Sequence, residues 1–251
     1  MADHNQALPE SKLNQSRTGM AGDQKVIDLS GLDVVAQGNR RFVYLIQPGT
    51  PGFEEFDIPL VMKVPRYEDR ERRMGLAKRL LSKLFPISAE RGIRVEARYW
   101  TKLAKRVPEK PSSMPLPVFY GYVMTTDGRA ALWEAMCDAD GDLAPTLREI
   151  ANQGDPSILV EPLNRFVDFS YQHNLVAPDI QGVNMVLVER NGRWETVLID
   201  GYADMRLISF RSMFAWRNRQ NMDNRFGKMG RQLKLDYDVQ KREYSRPQTT
   251  S

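Results

Sequence analysis

Two apolar runs, "NMVLVER" and "RWETVLID", flank the pair Asn191-Gly192. Asn-Gly between hydrophobic runs is the strongest short-range signal for a two-residue hairpin, because both central residues of such a turn take positive φ. Fixing the hairpin also fixes what stands beside it. Asn184 opens the first run, with Asp179 five residues before it, and Asp200 closes the second, directly before Gly201. One short ribbon therefore links three oxygen-bearing side chains, each at a turn.

The rest of the chain reads as strands first and helices later. In "VIDLSGLDVVAQGNRRFVYLIQPG" two strands meet around Gly38-Asn39, with Val34-Val35 before the turn and Phe42–Ile46 after it. "IPLVMKVP" is a buried strand closed by Pro65, and Lys63 lies inside it. Residues 75–85 form a basic amphipathic helix, with Lys78, Arg79 and Lys83 opposite a leucine-rich side. A second helix spans about Ser88 to Arg106, with Ile93, Ala97, Trp100, Leu103, Ala104 and Val107 on one stripe. Glu96 projects from that apolar stripe, where a carboxylate must find a partner. "VFYGYVMTTDGRAALWEAM" is a hairpin turning at Asp127-Gly128. "TLREIANQ", "ILVEPLNRFVDFSYQHN" and most of residues 205–237 read as helices, the last of them basic. The order predicts an α+β fold, sheet-rich in its first half and helical in its second. The expected divisions are a disordered tail over 1–25, a first lobe over 26–136, a second over 137–240 and a flexible end over 241–251.

Phosphoryl transfer gives the residues at the turns a common purpose. It needs a carboxylate for the acceptor hydroxyl and oxygen ligands for magnesium. Asp-x4-Asn is the spacing of a kinase catalytic loop, and an Asp before Gly beyond a short hairpin is its metal ligand. Here Asp179 is the candidate base, and Asn184 and Asp200 the candidate metal ligands. Lys63 on the third strand and Glu96 on the following helix are the pair that would hold ATP phosphates. Gly38 would lie in the phosphate turn, and the linker Glu134 to Met136 would meet adenine through backbone groups. Taken singly, each residue has a plainer use. Asp179 and Asn184 suit loop caps, Asp200-Gly201 an ordinary turn, and Lys63 a strand edge. Arg40 and Arg41 either add charge beside Gly38 or face water.

The pieces "AQGNRRFVYL", "LVMKV", "VEARYWTKL", "LPVFYGYVMTTDGRAALWEAMCDADGD", "DIQGVNMVL" and "VLIDGYAD", with an Arg-rich end, carry a likeness over residues 30–235. On these the sequence resembles the PhoP regulatory network protein YrbL family, a bacterial group with a protein-kinase-like fold. More distantly it is similar to lipopolysaccharide core kinases and small-molecule kinases. The resemblance implies a small sheet-rich N-lobe and a reduced helical C-lobe. It departs from a protein kinase in four places. Gly38 stands without further glycines, Ala177-Pro178 precede Asp179, Tyr202 follows Asp200-Gly201, and no Ala-Pro-Glu segment follows.

Two functions fit this pattern. One is an ATP- and magnesium-dependent phosphotransferase acting on a hydroxyl of a small molecule, glycan or lipopolysaccharide-type acceptor. The other is a pseudokinase with a regulatory role. The single Cys137 cannot form an intrachain disulfide, which fits a reducing, cytoplasmic setting. The formal charge is only +4, but Arg and Lys crowd 66–106 and the end after Met205. That distribution suits an anionic or phosphorylated acceptor, or peripheral contact with the inner face of a membrane. No nucleic-acid reading module is recognisable, so nucleic acid is not an expected partner.

Overall fold

The computed structural model describes residues 26–37, 41–66, 90–190, 192–203 and 215–247. The expected tail over 1–25, Gly38, Arg40, helix 75–85, Asn191 and Arg211 lie outside the described residues. Two compact units are formed. The first takes the chain up to Thr101 together with Val118–Ala135; the second takes Lys102–Pro117 and everything from Met136.

The first unit is built on an antiparallel sheet. Its strands are β1 (Val34–Gln37), β2 (Arg41–Ile46), β3 (Leu60–Pro65), β4 (Phe119–Thr125) and β5 (Gly128–Glu134), in the order β1-β2-β3-β5-β4. Strand side chains alternate between faces, so the register sorts the residues. Phe42 pairs with Val64, Tyr44 with Met62, and Ile46 with Leu60. These residues pack with Ile27, Leu29, Phe53, Ala130 and Leu132 into one apolar cluster. The opposite face carries Arg41, Val43 and Lys63, because Val43 pairs with Lys63 and Arg41 with Pro65. Helix α1 (Arg91–Ala104) follows β3 in the chain. It buries Ile93, Glu96, Ala97, Trp100 and Leu103, the period expected of an amphipathic helix. The β4–β5 turn sits one residue earlier than its sequence suggests. Thr126 and Asp127 form it, and Gly128 opens β5 with φ +99°. Thr125 explains the shift, since its hydroxyl donates to the Gly128 carbonyl at 2.7 Å and accepts the Asp127 N–H.

The second unit holds α2 (Leu147–Gln153), α3 (Val160–Gln172), the hairpin β6 (Met185–Arg190) and β7 (Arg193–Leu198), and α4 (Ala215–Leu233). The hairpin turns over two residues, and Gly192 has φ +73°. Phe226 of α4 is fully buried among the rings of Phe166, Tyr171, Tyr237 and Tyr244.

The units divide the chain differently from the expected lobes at two places. Residues 102–117 belong with the second unit and not with a first lobe running unbroken to 136. Met114 and Leu116 are buried, and the Met114 and Pro115 carbonyls accept from Arg190 (2.9 Å) and the Leu198 N–H (3.1 Å) of the hairpin. The expected flexible end from 241 instead contains β9 (Glu243–Ser245), paired with β8 (Asp236–Asp238). Tyr244 is its anchor. Its hydroxyl donates to the Phe226 carbonyl at 2.8 Å, and its main chain exchanges two bonds with the Asn164 amide. That amide serves Tyr244 as a neighbouring strand would.

Candidate active site

In the first unit, Lys63 and Glu96 meet. Lys63 Nζ lies 3.3 Å from Glu96 Oε2. Burial of Glu96 requires this, because a carboxylate inside a helix–sheet interface is costly without a cation. A second cation is also present. Arg41 approaches both carboxylate oxygens, with Nη1 3.0 Å from Oε2 and Nη2 2.7 Å from Oε1. Glu96 is therefore bidentate on Arg41 and shares one oxygen with Lys63. The ammonium also lies 5.3 Å from the centre of the Trp133 ring, a cation–π contact. Exposure falls from Arg41 (21%) to Lys63 (8%) to Glu96 (4%).

In the second unit, backbone and amide bonds tie Asp179, Asn184 and Gly201 together. The Asp179 N–H donates to the Gly201 carbonyl at 3.1 Å. Asn184 Nδ2 donates to the Asp179 carbonyl and to its Oδ2, both at 2.9 Å. Gln181 Nε2 donates to Oδ1 at 2.8 Å. Gly201 is required there. It has φ +81°, and a Cβ would fall 2.7 Å from the Asp179 carbonyl oxygen and 3.0 Å from Asn184 Nδ2. Asp200 is delivered beside this knot, and its Oδ1 accepts the Gly201 N–H at 2.7 Å.

The loop that carries Asp179 and Asn184 is propped from outside. Gly182 lies where a Cβ would reach 2.9 Å from a Leu233 methyl and 3.3 Å from the Arg148 N–H. Arg148 is in the first turn of α2, and Thr146 begins that turn with a capping box on Glu149. The two hydrogen bonds from Thr146 hold the Glu149 carboxyl below its ordinary range.

The donors suit magnesium. Two bonds from Asn184 Nδ2 orient its amide, so Oδ1 is the atom turned away from Asp179. Together with the Asp200 carboxylate it supplies hard oxygen ligands, which magnesium prefers. Among the described residues no group of three His, Cys, Asp or Glu could hold a metal ion, so any site here depends on the Asn. The linker is more committed than its sequence suggests. The Glu134 N–H bonds the Val118 carbonyl, the Ala135 N–H bonds Pro59, and the Met136 carbonyl accepts from Ala144. The groups left for an adenine contact there are the Met136 N–H and the carbonyls, which keep a second lone pair when singly bonded.

Sequence reading left Arg41 between adding charge beside Gly38 and facing water, and it passed over Gln181. The β2–β3 register, which places Arg41 two residues from the partner of Lys63, is the signal for the first. For Gln181 the signal is a long amide two residues after Asp179, within reach of its carboxylate. Cys137 is no nucleophile. Burial first, then Asp138 and Asp142, push its thiol up to about 11.

The profile of the PhoP regulatory network protein YrbL family matches residues 27–234, most of the chain. The chain belongs to this family. The family match ends just before β8, so the Tyr244 hairpin lies beyond it. The fold of this YrbL-family chain is mixed, with a sheet-rich first part and a helical second part. None of the curated proteins matches in sequence. Solved structures similar to it include the kinase domain of PF14_0431, at 14% identity and a TM-score of 0.49, covering 85% of this chain and 67% of that one. Another is Rad53 in complex with AMP-PNP, at 11% identity and a TM-score of 0.46, covering 81% of this chain and 46% of that one. Among the described residues no helix is long and apolar enough to cross a membrane.

Proposed function

We propose that the protein is an ATP- and magnesium-dependent phosphotransferase with an alcohol group on a small molecule, glycan or lipopolysaccharide-type compound as acceptor. The observation that carries this reading is the Asp179–Asn184–Gly201 knot. It orients a carboxylate and an amide oxygen by bonds that use none of the atoms needed for metal binding. Asp179 orients the acceptor hydroxyl and takes its proton at a carboxylate oxygen. Asn184 Oδ1 and Asp200 hold magnesium, which when bound neutralises phosphate charge. Lys63, set by Glu96, binds nucleotide phosphate, and carbonyls of Glu134–Met136 receive the adenine amine.

The basic residues support an anionic acceptor. Arg217, Arg219, Lys228 and Arg231 are exposed on α4, and Arg's planar fork fits phosphate oxygens. Peripheral membrane contact at an inner face belongs to the same proposal, with the basic stretch 75–85 as the touching element.

A pseudokinase reading is favoured by one observation: both Asp179 carboxylate oxygens already accept side-chain amides. Two measurements separate the readings. The melting temperature should rise with ATP and magnesium in the wild type and stay flat in Asp200→Asn, whose retained Oδ1 can still accept the Gly201 N–H. An undiminished shift in the variant would remove Asp200 from the metal site. Phosphate transfer to a panel of hydroxyl acceptors then decides turnover, and nucleotide binding without transfer would leave the pseudokinase.

A further inference from the structure

Glu96 is one buried carboxylate between two cations, and its shorter contacts are to the arginine. A kinase pair needs only the lysine. The arginine therefore needs its own explanation, and its place in the sheet supplies one. Arg41 is the first residue of β2, which residues 38–40 separate in the chain from the end of β1 at Gln37. It shares a sheet face with Lys63, and of the three charged groups it reaches furthest toward solvent.

The intervening sequence is Gly38-Asn39-Arg40, with one glycine. A glycine-rich turn brings main-chain N–H groups close to phosphates because no Cβ intervenes. A single glycine allows less of that approach. A guanidinium at the start of β2 can compensate, since it carries five N–H donors in a rigid fork that matches phosphate oxygens. Two of those donors are fixed on Glu96, which sets the plane of the fork before any ligand arrives. Within the trio, two positive charges meet one negative charge.

We propose that Arg41 is a nucleotide-phosphate ligand, held in position by Glu96 beside Lys63, and that it takes over part of the role of a glycine-rich turn. This rests on the nucleotide reading given above. Glu96 then orients both cations at once. Replacing Arg41 leaves the Lys63–Glu96 pair in place, so the effect on phosphate binding separates from collapse of the site.

The test compares ATP with adenosine, which lacks every phosphate, by calorimetry in the presence of magnesium. Arg41→Gln should weaken ATP on the order of tenfold or more, the value of a charge-assisted contact. Adenosine should bind within about twofold of wild type, as for a ligand that makes no contact with the lost group. Arg41→Lys, which keeps the charge and loses the fork, should weaken ATP less and leave adenosine unchanged. It carries the test alone if Arg41→Gln does not fold. Equal losses for ATP and adenosine would make Arg41 a structural partner of Glu96 only, and undiminished ATP binding would also overturn the proposal. If the wild type binds neither ligand, the nucleotide reading fails first. If it binds ATP and the variants keep its preference over adenosine, only the role of Arg41 fails.

Discussion

The two candidate clusters, one in each unit, are built by opposite means. In the first unit, Arg41, Lys63 and Glu96 come from three elements, and their long side chains are held by opposite charge. In the second, Asp179, Asn184 and Gly201 are held by hydrogen bonds from backbone and side-chain amides around a glycine that admits no side chain. The first arrangement can lose one partner and re-form around the others. The second depends on separations of a few tenths of an ångström. Charge should therefore govern the first cluster and shape the second.

The largest effect is expected at Glu96. Glu96→Gln keeps the shape and removes the only anion of the trio, leaving Lys63 and Arg41 facing each other with like charge. Denaturant unfolding should show a loss of about 3 kcal/mol. Lys63→Met should cost clearly less, because Glu96 stays bidentate on Arg41. Equal losses for the two variants would mean that Arg41 contributes nothing to the pair, and the comparison would break on the charged side.

Gly201→Ala tests the other cluster without altering charge. A methyl group at φ +81°, pressed against the Asp179 carbonyl and the Asn184 amide, should destabilise by about 2 kcal/mol. It should also abolish the magnesium-dependent melting shift. A variant that loses stability but keeps the full shift would show that the knot is structural alone.

The smallest effect is expected at Thr146, which touches none of the site residues. Thr146→Ala removes the cap from the α2 turn against which Gly182 rests, at about 1 kcal/mol near neutral pH. The Glu149 carboxyl is held below its ordinary range by Thr146, so its contribution is present above the unfolded pKa and is lost as pH falls through the folded one. The gap between wild type and variant in thermal melts should accordingly narrow in acid. A constant gap at every pH would assign the cap to the hydroxyl alone.

What could be read from the sequence followed from local chemistry. Asn191-Gly192 announces the hairpin because few residues accept positive φ, and Glu96 announces a partner because it interrupts an apolar stripe. Arg41 was not distinguishable from Arg40, since only the pairing with β3 decides which of two adjacent side chains joins Lys63's face. Residues 102–117 carry no mark of the unit they join; carbonyls accepting from Arg190 and Leu198 place them there. The final hairpin pairs Tyr237 with Tyr244 in a charged stretch, and two aromatic residues seven apart set no period. The same limit hid the prop under Gly182, whose neighbours Arg148 and Leu233 lie far from it in the chain.

That prop also bears on the order of synthesis. A ribosome releases the chain from its N-terminus, so the loop from Asp179 to Asn184 emerges well before Leu233. Until α4 is made, Gly182 has the start of α2 on one side and no Leu233 on the other. A nascent or prematurely terminated chain would carry every residue of the candidate site and still lack the last support of the loop. Quality of the finished centre is thereby tied to completion of the chain, and fragments ending before α4 would be released with the centre unfinished.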